Sequence, residues 1–198
     1  MDEMPEPKLA PAGAGLPLPE LLIGKMIFTI RRLTGNRTSF NQRFVSERAS
    51  IRRLVESCDA DSLGKRVLIK RPPGLEDSSR YWSVLMTLDH LRIVNSQLVQ
   101  VFERLPHGKL PDREASTAAV KPSAGVTQEV IREYEASCDS LLSSVAAVPD
   151  LKTKLRYRHP WFGPMDAHAW HSLAGGHMGI HRIQIERIIE GLRMISTG

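Results

Sequence analysis

The segment from Trp161 to Met194, WFGPMDAHAWHSLAGGHMGIHRIQIERIIEGLRM, has the clearest periodic pattern in the chain. Its apolar residues recur with the 3.6-residue period of an α-helix, and most of its charged residues fall on the opposite side. His177 and His181 interrupt the apolar stripe, one helical turn apart. At this spacing two Cβ atoms are about 5–6 Å apart, so both imidazole rings can reach one point in front of the helix. A divalent metal ion is the simplest occupant of that point.

The overall composition is that of an ordinary folded domain, whereas the N-terminal segment has a composition typical of disordered chain. The chain has 198 residues, of which 41% are apolar and 25% charged. Residues 1–16 carry acids and prolines, so we predict a disordered tail there and a single domain over residues 17–198. This start also lacks the basic patch and apolar segment of a signal peptide. No apolar run approaches the ~20 residues that span a bilayer, so no membrane association is expected.

The two cysteines, Cys58 and Cys138, are too few for a disulfide framework. This favours a reducing compartment, and we predict a cytoplasmic protein, although the sequence leaves a pairing of the two open. The net charge of +5 and the isoelectric point near 9.5 raise the alternative of a nucleic-acid partner. The basic residues are scattered among acids and no aromatic platform accompanies them, so solvated helix faces explain them better.

The remaining chain predicts four more helices, over residues 19–33, 39–57, from 77–79 to about 105, and 127–148. The segment 106–125 contains three prolines and no helical period, and at roughly 3.3 Å per residue it could cross a bundle lengthwise. No strand pair stands out. The predicted fold class is all-α, with four long helices in a bundle and an extra N-terminal helix. The side chains of that first helix expected to pack on the bundle are Leu21, Leu22, Met26, Ile27 and Ile30.

His90 is a third histidine expected to face inward, because it lies among apolar residues of the third helix. A buried histidine needs partners for both ring nitrogens, and each missing partner costs about 1–3 kcal/mol. A metal ion would satisfy one nitrogen of each of His90, His177 and His181 and keep a position for water or substrate. Spacing and periodicity alone support core histidines with ordinary partners equally well. No Glu follows His177 as in the HExxH zinc proteases.

Two segments resemble a known family. RYWSVLMTLDHLRIVNSQ, residues 80–97, resembles the W-S-x-x-x-x-x-x-H-L segment of DinB/YfiT-like metalloenzymes, and HPWFGPMDAHAWHSLAGGHMGIHRIQI, residues 159–185, is similar to their closing H-x-x-x-H-R-x-Q-I segment. The resemblance covers about residues 38–195. It implies an up-down-down-up four-helix bundle and a divalent metal ion, most often zinc or nickel, on His90, His177 and His181. It also implies a homodimer and, in the members of known activity, thiol-dependent transferases or an isomerase that uses a low-molecular-weight thiol.

The sequence departs from the family pattern at Ile180, where many relatives carry another histidine. A fourth ligand from this helix is therefore not expected. Gly175, Gly176 and Gly179 weaken the helix by about 1 kcal/mol each. They predict the close approach of a neighbouring helix, from the same chain or from a partner subunit.

Several other polar residues have competing interpretations. Gln184 follows the histidine pair on the same stripe, where it could hydrogen-bond a metal-bound water or serve as a structural amide. His159, next to Trp161 and Phe162, is expected to plug the end of the bundle, with a supporting role behind the metal ligands as the alternative. His168 and His171 are expected at the surface or behind the ligands. Asp89 is expected at the surface or as a helix cap.

These patterns together predict a metal-dependent enzyme. A bound metal would favour deprotonation of water or of a substrate thiol, so thiol transfer and hydrolysis are both open. The expected partners are a small-molecule substrate, including a low-molecular-weight thiol, and a second copy of the chain. The main alternative is a non-catalytic helical bundle that binds a small ligand or a protein partner.

Overall fold

The computed structural model describes residues 6–196, and this part of the chain is mainly helical. Its α-helices are α1 (Leu18–Thr34), α2 (Arg37–Glu56), α3 (Val84–Arg104), α4 (Glu129–Ala147) and α5 (Ala167–Ser196). Two short antiparallel strand pairs accompany them, β1 (Val67–Leu68) with β2 (Tyr81–Trp82), and β3 (Tyr157–His159) with β4 (Gly163–Met165). The predicted all-α class is confirmed. The strand pairs were missed because two or three residues are too few to show a period of two.

Helices α2 to α5 form the bundle, and their directions follow from the residues that meet. The contacts that define them are Asn41–His171 and Glu47–Arg182 between α2 and α5, Phe102–His171 and His90–His181 between α3 and α5, and Arg92–Glu133 and Asn95–Ser137 between α3 and α4. Residue numbers increase together along α2 and α5 and along α3 and α4, whereas they run in opposite senses along α3 and α5. The path is therefore up-down-down-up, as predicted.

Parallel packing of α3 against α4 requires a connection that travels the length of the bundle. Residues 108–128 make this connection without a regular helix or strand. The long irregular segment was predicted from its prolines, and its course over the bundle brings a backbone carbonyl to the candidate site described below.

Two helices begin later than predicted because local caps compete with the periodic pattern. Residues 77–79 form a short 3-10 turn, and α3 starts after Ser83, whose hydroxyl accepts a hydrogen bond from Met86 N at 3.1 Å. The last helix starts after Asp166, whose carboxylate accepts a hydrogen bond from Ala169 N at 2.8 Å. Pro164, near the start of the periodic segment, lies in β4 and not in this helix.

Helix α1 lies outside the bundle and runs along α5. Glu20 holds one end by accepting two hydrogen bonds from Arg71. At its middle, Phe28 packs on Phe162 with ring centroids 4.6 Å apart. The predicted packing set was largely wrong, because only Leu21 of that set is partly covered. The other four side chains remain exposed, and they are Leu22, Met26, Ile27 and Ile30.

Residues 1–5 of the predicted tail lie outside the described residues. Residues 6–16 contain no helix or strand, and they follow the bundle through two backbone hydrogen bonds. Ala10 N donates to Asp77 Oδ2 at 2.8 Å, and Gly13 N donates to Glu76 Oε2 at 3.3 Å. The division between tail and domain at residue 16 stays a prediction. Within residues 6–196, every helix is too short or too polar to cross a membrane.

Candidate metal centre

Three imidazole rings meet between α3 and α5. Nε2 of His177 lies 3.1 Å from Nε2 of His90 and 3.2 Å from Nε2 of His181. His90 and His181 are buried and His177 is half-buried. The structure thus brings together the three histidines that the sequence singled out. One turn of α5 separates the pair on that helix, and the antiparallel neighbour α3 supplies the third ring.

The hydrogen bonds behind two of these rings determine where their protons lie. His90 Nδ1 is 2.6 Å from the carbonyl oxygen of Val120, which can only accept, so Nδ1 carries the proton. Gln184 Nε2 donates to the carbonyl of Ser79 at 2.7 Å, and this directs Gln184 Oε1 toward His181 Nδ1, also at 2.7 Å. His181 therefore donates from Nδ1 as well. The Nε2 atoms of His90 and His181 both present lone pairs to the third imidazole.

An unprotonated His177 Nε2 would add a third lone pair, and a protonated one could satisfy only one of the two acceptors. At least one of these buried lone pairs would therefore lack a partner unless the three nitrogens bind a common cation, and a buried polar atom without a partner is unfavourable. Tetrahedral zinc with bonds of about 2.0–2.1 Å separates ligand nitrogens by about 3.3 Å. The two nitrogen separations given above are close to this value. All three ligand atoms lie within 4.8 Å of one another, so the three side chains are compatible with a shared divalent metal ion.

Burial keeps the three imidazoles neutral, which is the form that binds metals. Desolvation lowers the pKa of His90 to about 4, partly opposed by its hydrogen bond to Val120. Burial also lowers the pKa values of His177 and His181 well below the ordinary range, and repulsion from the neighbouring imidazoles adds to the effect. Protons therefore compete weakly for these nitrogens at neutral pH.

The loop 108–128 is held at the site by Asp89. This carboxylate is only 4% exposed and accepts hydrogen bonds from Ser123 N at 3.0 Å and from Arg92. The anchored loop places the carbonyl of Val120 behind His90. The expectation of a surface or capping role for Asp89 was wrong. The sequence could not show this because Ser123 lies 34 residues away along the chain.

A cavity of about 580 Å³ opens beside the three histidines. Its walls come from α1, α3, α5 and the segment around Val120, and they are mainly apolar. Lys121 lies at one edge, where Nζ donates to Ser78 and Ser79 and lies 3.6 Å from Glu76. These polar residues have no sequence pattern that would have identified them, since they belong to irregular segments.

Trp82 is a further residue at the site that sequence reasoning did not identify as functional. Its indole lies parallel to the His181 ring at a centroid distance of 6.3 Å and packs 5.3 Å from the His90 ring. Lys121 Nζ lies 5.1 Å from the centre of the indole. The tryptophan thus packs against both imidazoles and restricts their rotation.

The remaining histidines take different positions. His159 lines the cavity near the three rings, and its ring packs 4.9 Å from Phe162 and 5.2 Å from Trp170. His168 bonds the carbonyl of Arg32. His171 was expected at the surface or behind the ligands, which was wrong. It is fully buried against α2, because the helix turns it toward the other side of the bundle.

The family position usually filled by another histidine is packed with apolar atoms. A Cβ built at Gly74 would lie 2.8 Å from Ile180 Cδ1, so this loop residue packs directly on the isoleucine side chain.

The close approach of a neighbouring helix, predicted from the glycines of α5, occurs within the chain. A Cβ at Gly175 would lie 3.2 Å from the backbone nitrogen of Phe44, whereas one at Gly176 would meet no heavy atom within 4 Å.

Comparisons with known proteins agree with this geometry. The family model of the DinB superfamily matches residues 43–185. A crystal structure of TT2238, described as a four-helix bundle protein, superposes with a TM-score of 0.54 and 20% sequence identity, and the match covers 75% of this chain and 97% of TT2238. At this identity the likeness concerns the fold. No curated protein matches the sequence. Because the family model spans both α3 and the part of α5 that carries the histidines, the chain belongs to the DinB superfamily.

Proposed function

We propose that the protein is a divalent-metal-dependent enzyme, with the metal held by His90, His177 and His181, that catalyses thiol-dependent group transfer or hydrolysis. The observation that carries this proposal is the meeting of three imidazole Nε2 atoms at the wall of a large cavity. Membership of the DinB superfamily supports the metal site independently. Zinc and nickel are the proposed metals, since both accept three imidazole nitrogens.

The charge of the site favours an anionic ligand. Three neutral imidazoles would contribute no negative charge to a divalent cation, and the three-histidine cluster contains no carboxylate ligand. A metal bound there would act as a Lewis acid that lowers the pKa of a coordinated water or thiol. The chain itself orients the imidazoles through Val120 and Gln184, and the walls of the cavity beside them are mainly apolar.

Metal analysis of untagged protein tests the metal site, because an affinity tag would load nickel by itself. We expect about one divalent ion per chain, lost in His177→Ala. His107→Ala is the matched control, since His107 is exposed in the turn after α3. Metal-free wild-type protein after expression in zinc- or nickel-supplemented medium would refute the metal site. Equal metal contents in His177→Ala and wild type would refute it too.

A panel of reactions separates the enzyme from the alternative of a ligand-binding bundle. The metal-loaded protein would be incubated with a low-molecular-weight thiol and electrophiles, and separately with esters and amides. Turnover that is lost in His177→Ala and kept in His107→Ala supports the enzyme. Metal-loaded protein that binds these compounds without turnover favours the non-catalytic bundle.

The proposed substrate is a small molecule that binds in the cavity.

The proposed assembly is a homodimer in which the outer faces of the two α1 helices meet. The exposed apolar residues of that face are Leu18, Leu22, Met26, Ile30 and Leu33. A contiguous apolar face of this kind is unusual on a monomer, and a two-fold pair would cover it in both copies. Light scattering would show a dimer for wild type and a monomer for the variant Leu22→Lys/Met26→Lys.

A cytoplasmic location is proposed on the two thiols. Cys58 and Cys138 are both free, which answers the question of their pairing. Cys138 is buried in the core, where Asn95 and Tyr134 lie beside it, and it has no bridging partner. Free thiols of this kind are typical of reducing compartments. Fractionation of the native host cells would test the location.

A further inference from the structure

His159 is held in a single tautomer by the turn that it begins. Its Nδ1 accepts hydrogen bonds from the backbone N–H groups of Trp161, at 3.0 Å, and of Phe162, at 3.3 Å. An atom that accepts two backbone N–H groups cannot itself carry a proton. The neutral ring must therefore carry its proton on Nε2.

The surroundings keep this ring neutral. Phe162 and Trp170 pack against it, and burial lowers its pKa to about 4. The turn and the burial thus favour the same species, an imidazole with Nε2–H as its one donor. The hairpin formed by β3 and β4 presents this donor on a rigid backbone.

The Nε2 atom has no hydrogen-bond partner among residues 6–196. In the described chain, the buried side-chain atoms that lack a hydrogen-bond partner are Glu76 Oε1, His171 Nδ1 and Ser172 Oγ. His159 Nε2 also lacks a partner but is not among these buried atoms, so it is not sealed inside the protein. The residue lines the same cavity as the three histidines. It is also close enough to His177 for a charge on one ring to depress the pKa of the other.

Two other donors close to the three histidines are already used by the protein. Lys121 donates to two serine hydroxyls, and the amide of Gln184 donates to the carbonyl of Ser79. In a mainly apolar cavity, an available and rigid N–H group determines which atom of a ligand can lie against it. The ligand atom that lies against this N–H group should be a hydrogen-bond acceptor, such as an oxygen.

We infer that His159 is a substrate-orienting residue whose Nε2–H donates to a carbonyl or carboxylate oxygen of the compound bound in the cavity. The inference rests on the proposed metal-dependent function and narrows its substrates to compounds that carry such an oxygen. It differs from the plug role expected from the sequence, which needs the aromatic contacts of His159 but not its free N–H.

Thiol probes on cobalt-substituted protein test this inference. Mercaptoacetate, β-mercaptopropionate and γ-mercaptobutyrate would each be paired with the alkanethiol in which a methyl group replaces the carboxylate. The sulfur-to-cobalt absorption band measures binding of every probe. The matched variant is His159→Asn, whose side-chain oxygen can still accept from the turn N–H groups but whose amide is too short to reach the position of Nε2.

A hydrogen bond to a charged acceptor contributes roughly 1.5–3 kcal/mol, which corresponds to about 10–100-fold in affinity. We expect His159→Asn to lose at least about tenfold in affinity for one or more carboxylate probes and to bind the alkanethiols as wild type does. His159→Gln should recover part of the loss, because its amide can donate near the position of Nε2. In wild type, the ¹⁵N shift of His159 Nε2 should move with the carboxylate probe and not with the alkanethiol.

The outcomes separate this inference from the proposed function. If cobalt does not bind, or binds without a thiol band, the metal-dependent function fails. If cobalt and both probe classes bind but His159→Asn leaves the affinity for both classes unchanged, the inference is overturned and His159 is a structural plug. Should His159→Asn fail to fold, the ¹⁵N shift in wild type decides, and an unchanged shift with every carboxylate probe overturns the inference.

Discussion

Gln184 Oε1 lies 2.7 Å from Nδ1 of His181, one turn back on the same helix. The other end of this amide donates to the carbonyl of Ser79, in the 3-10 turn before β2. Gln184 is wholly buried, so both contacts are shielded from water. The amide therefore fixes the tautomer and orientation of one candidate metal ligand while joining α5 to the loop that precedes α3.

Gln184→Ala should weaken metal binding without removing a ligand. Partners behind metal-binding histidines typically contribute about 10–100-fold to affinity. We expect a loss in this range for zinc, measured by competition with a chromophoric chelator. Gln97→Ala is the control, because Gln97 lines the cavity and is not hydrogen-bonded to any of the three histidines. Equal zinc affinities of the two variants would contradict the orienting role of Gln184.

Asp89→Asn should loosen the loop that supports His90. The change removes the charge that Ser123 N and Arg92 bind, while the side chain keeps its size. Hydrogen bonds to a charged group contribute roughly 1.5–3 kcal/mol each, so backbone exchange in residues 115–125 should accelerate by about tenfold or more. Hydrogen exchange with mass spectrometry measures this directly. Asp112→Asn, which breaks a surface ion pair with Arg104, should leave the exchange of 115–125 unchanged.

The metal-free protein should lose stability as the pH falls from 6.5 toward 4, and His171 should account for part of the loss. Burial first, and then electrostatic repulsion from His168 and Arg37, lower the pKa of His171 to about 4. The unfolded chain takes up the proton near pH 6.5. The stabilisation is therefore complete above 6.5, and one such group removes about 2 kcal/mol between pH 7.5 and 5.

Urea unfolding at pH 7.5 and 5, with a chelator present, checks this expectation. His171→Gln can still hydrogen-bond Asn41 but cannot take up a proton, so its loss of unfolding free energy between the two pH values should be smaller by about 2 kcal/mol. A variant that loses as much stability as wild type would show that His171 does not titrate with a lowered pKa.

Gly175→Ala and Gly176→Ala should have opposite effects on the free energy of unfolding. Alanine in place of a helical glycine stabilises by about 0.5–1 kcal/mol where space allows, as it does at Gly176. At Gly175 the new methyl group would press on the backbone of Phe44, and overpacking of this kind costs about 1–3 kcal/mol. Thermal or urea unfolding compares the two neighbours directly. A stabilising Gly175→Ala would mean that α2 moves away at little cost.

Most of the helical architecture was predictable because it depends on local periodicity. The stripes of α3, α4 and α5 contain enough apolar residues to specify their buried faces. Prediction failed where the periodic pattern covers too few residues or allows more than one buried face. Helix α1 is apolar on most sides, so its sequence could not show that Phe28 faces the bundle while Met26 faces outward.

Local patterns were enough to single out the three histidines as neighbours, since helical spacing places His177 and His181 on one face of α5 and the apolar surroundings of His90 turn it inward. The hydrogen-bond partners behind these rings become visible only in the folded protein, and they are the carbonyl of Val120 and the amide of Gln184. Folding also places the N–H of His159 on the wall of the same cavity. Periodicity along one helix acts over a few residues, whereas these contacts join segments that are distant in the chain and meet only when the bundle packs.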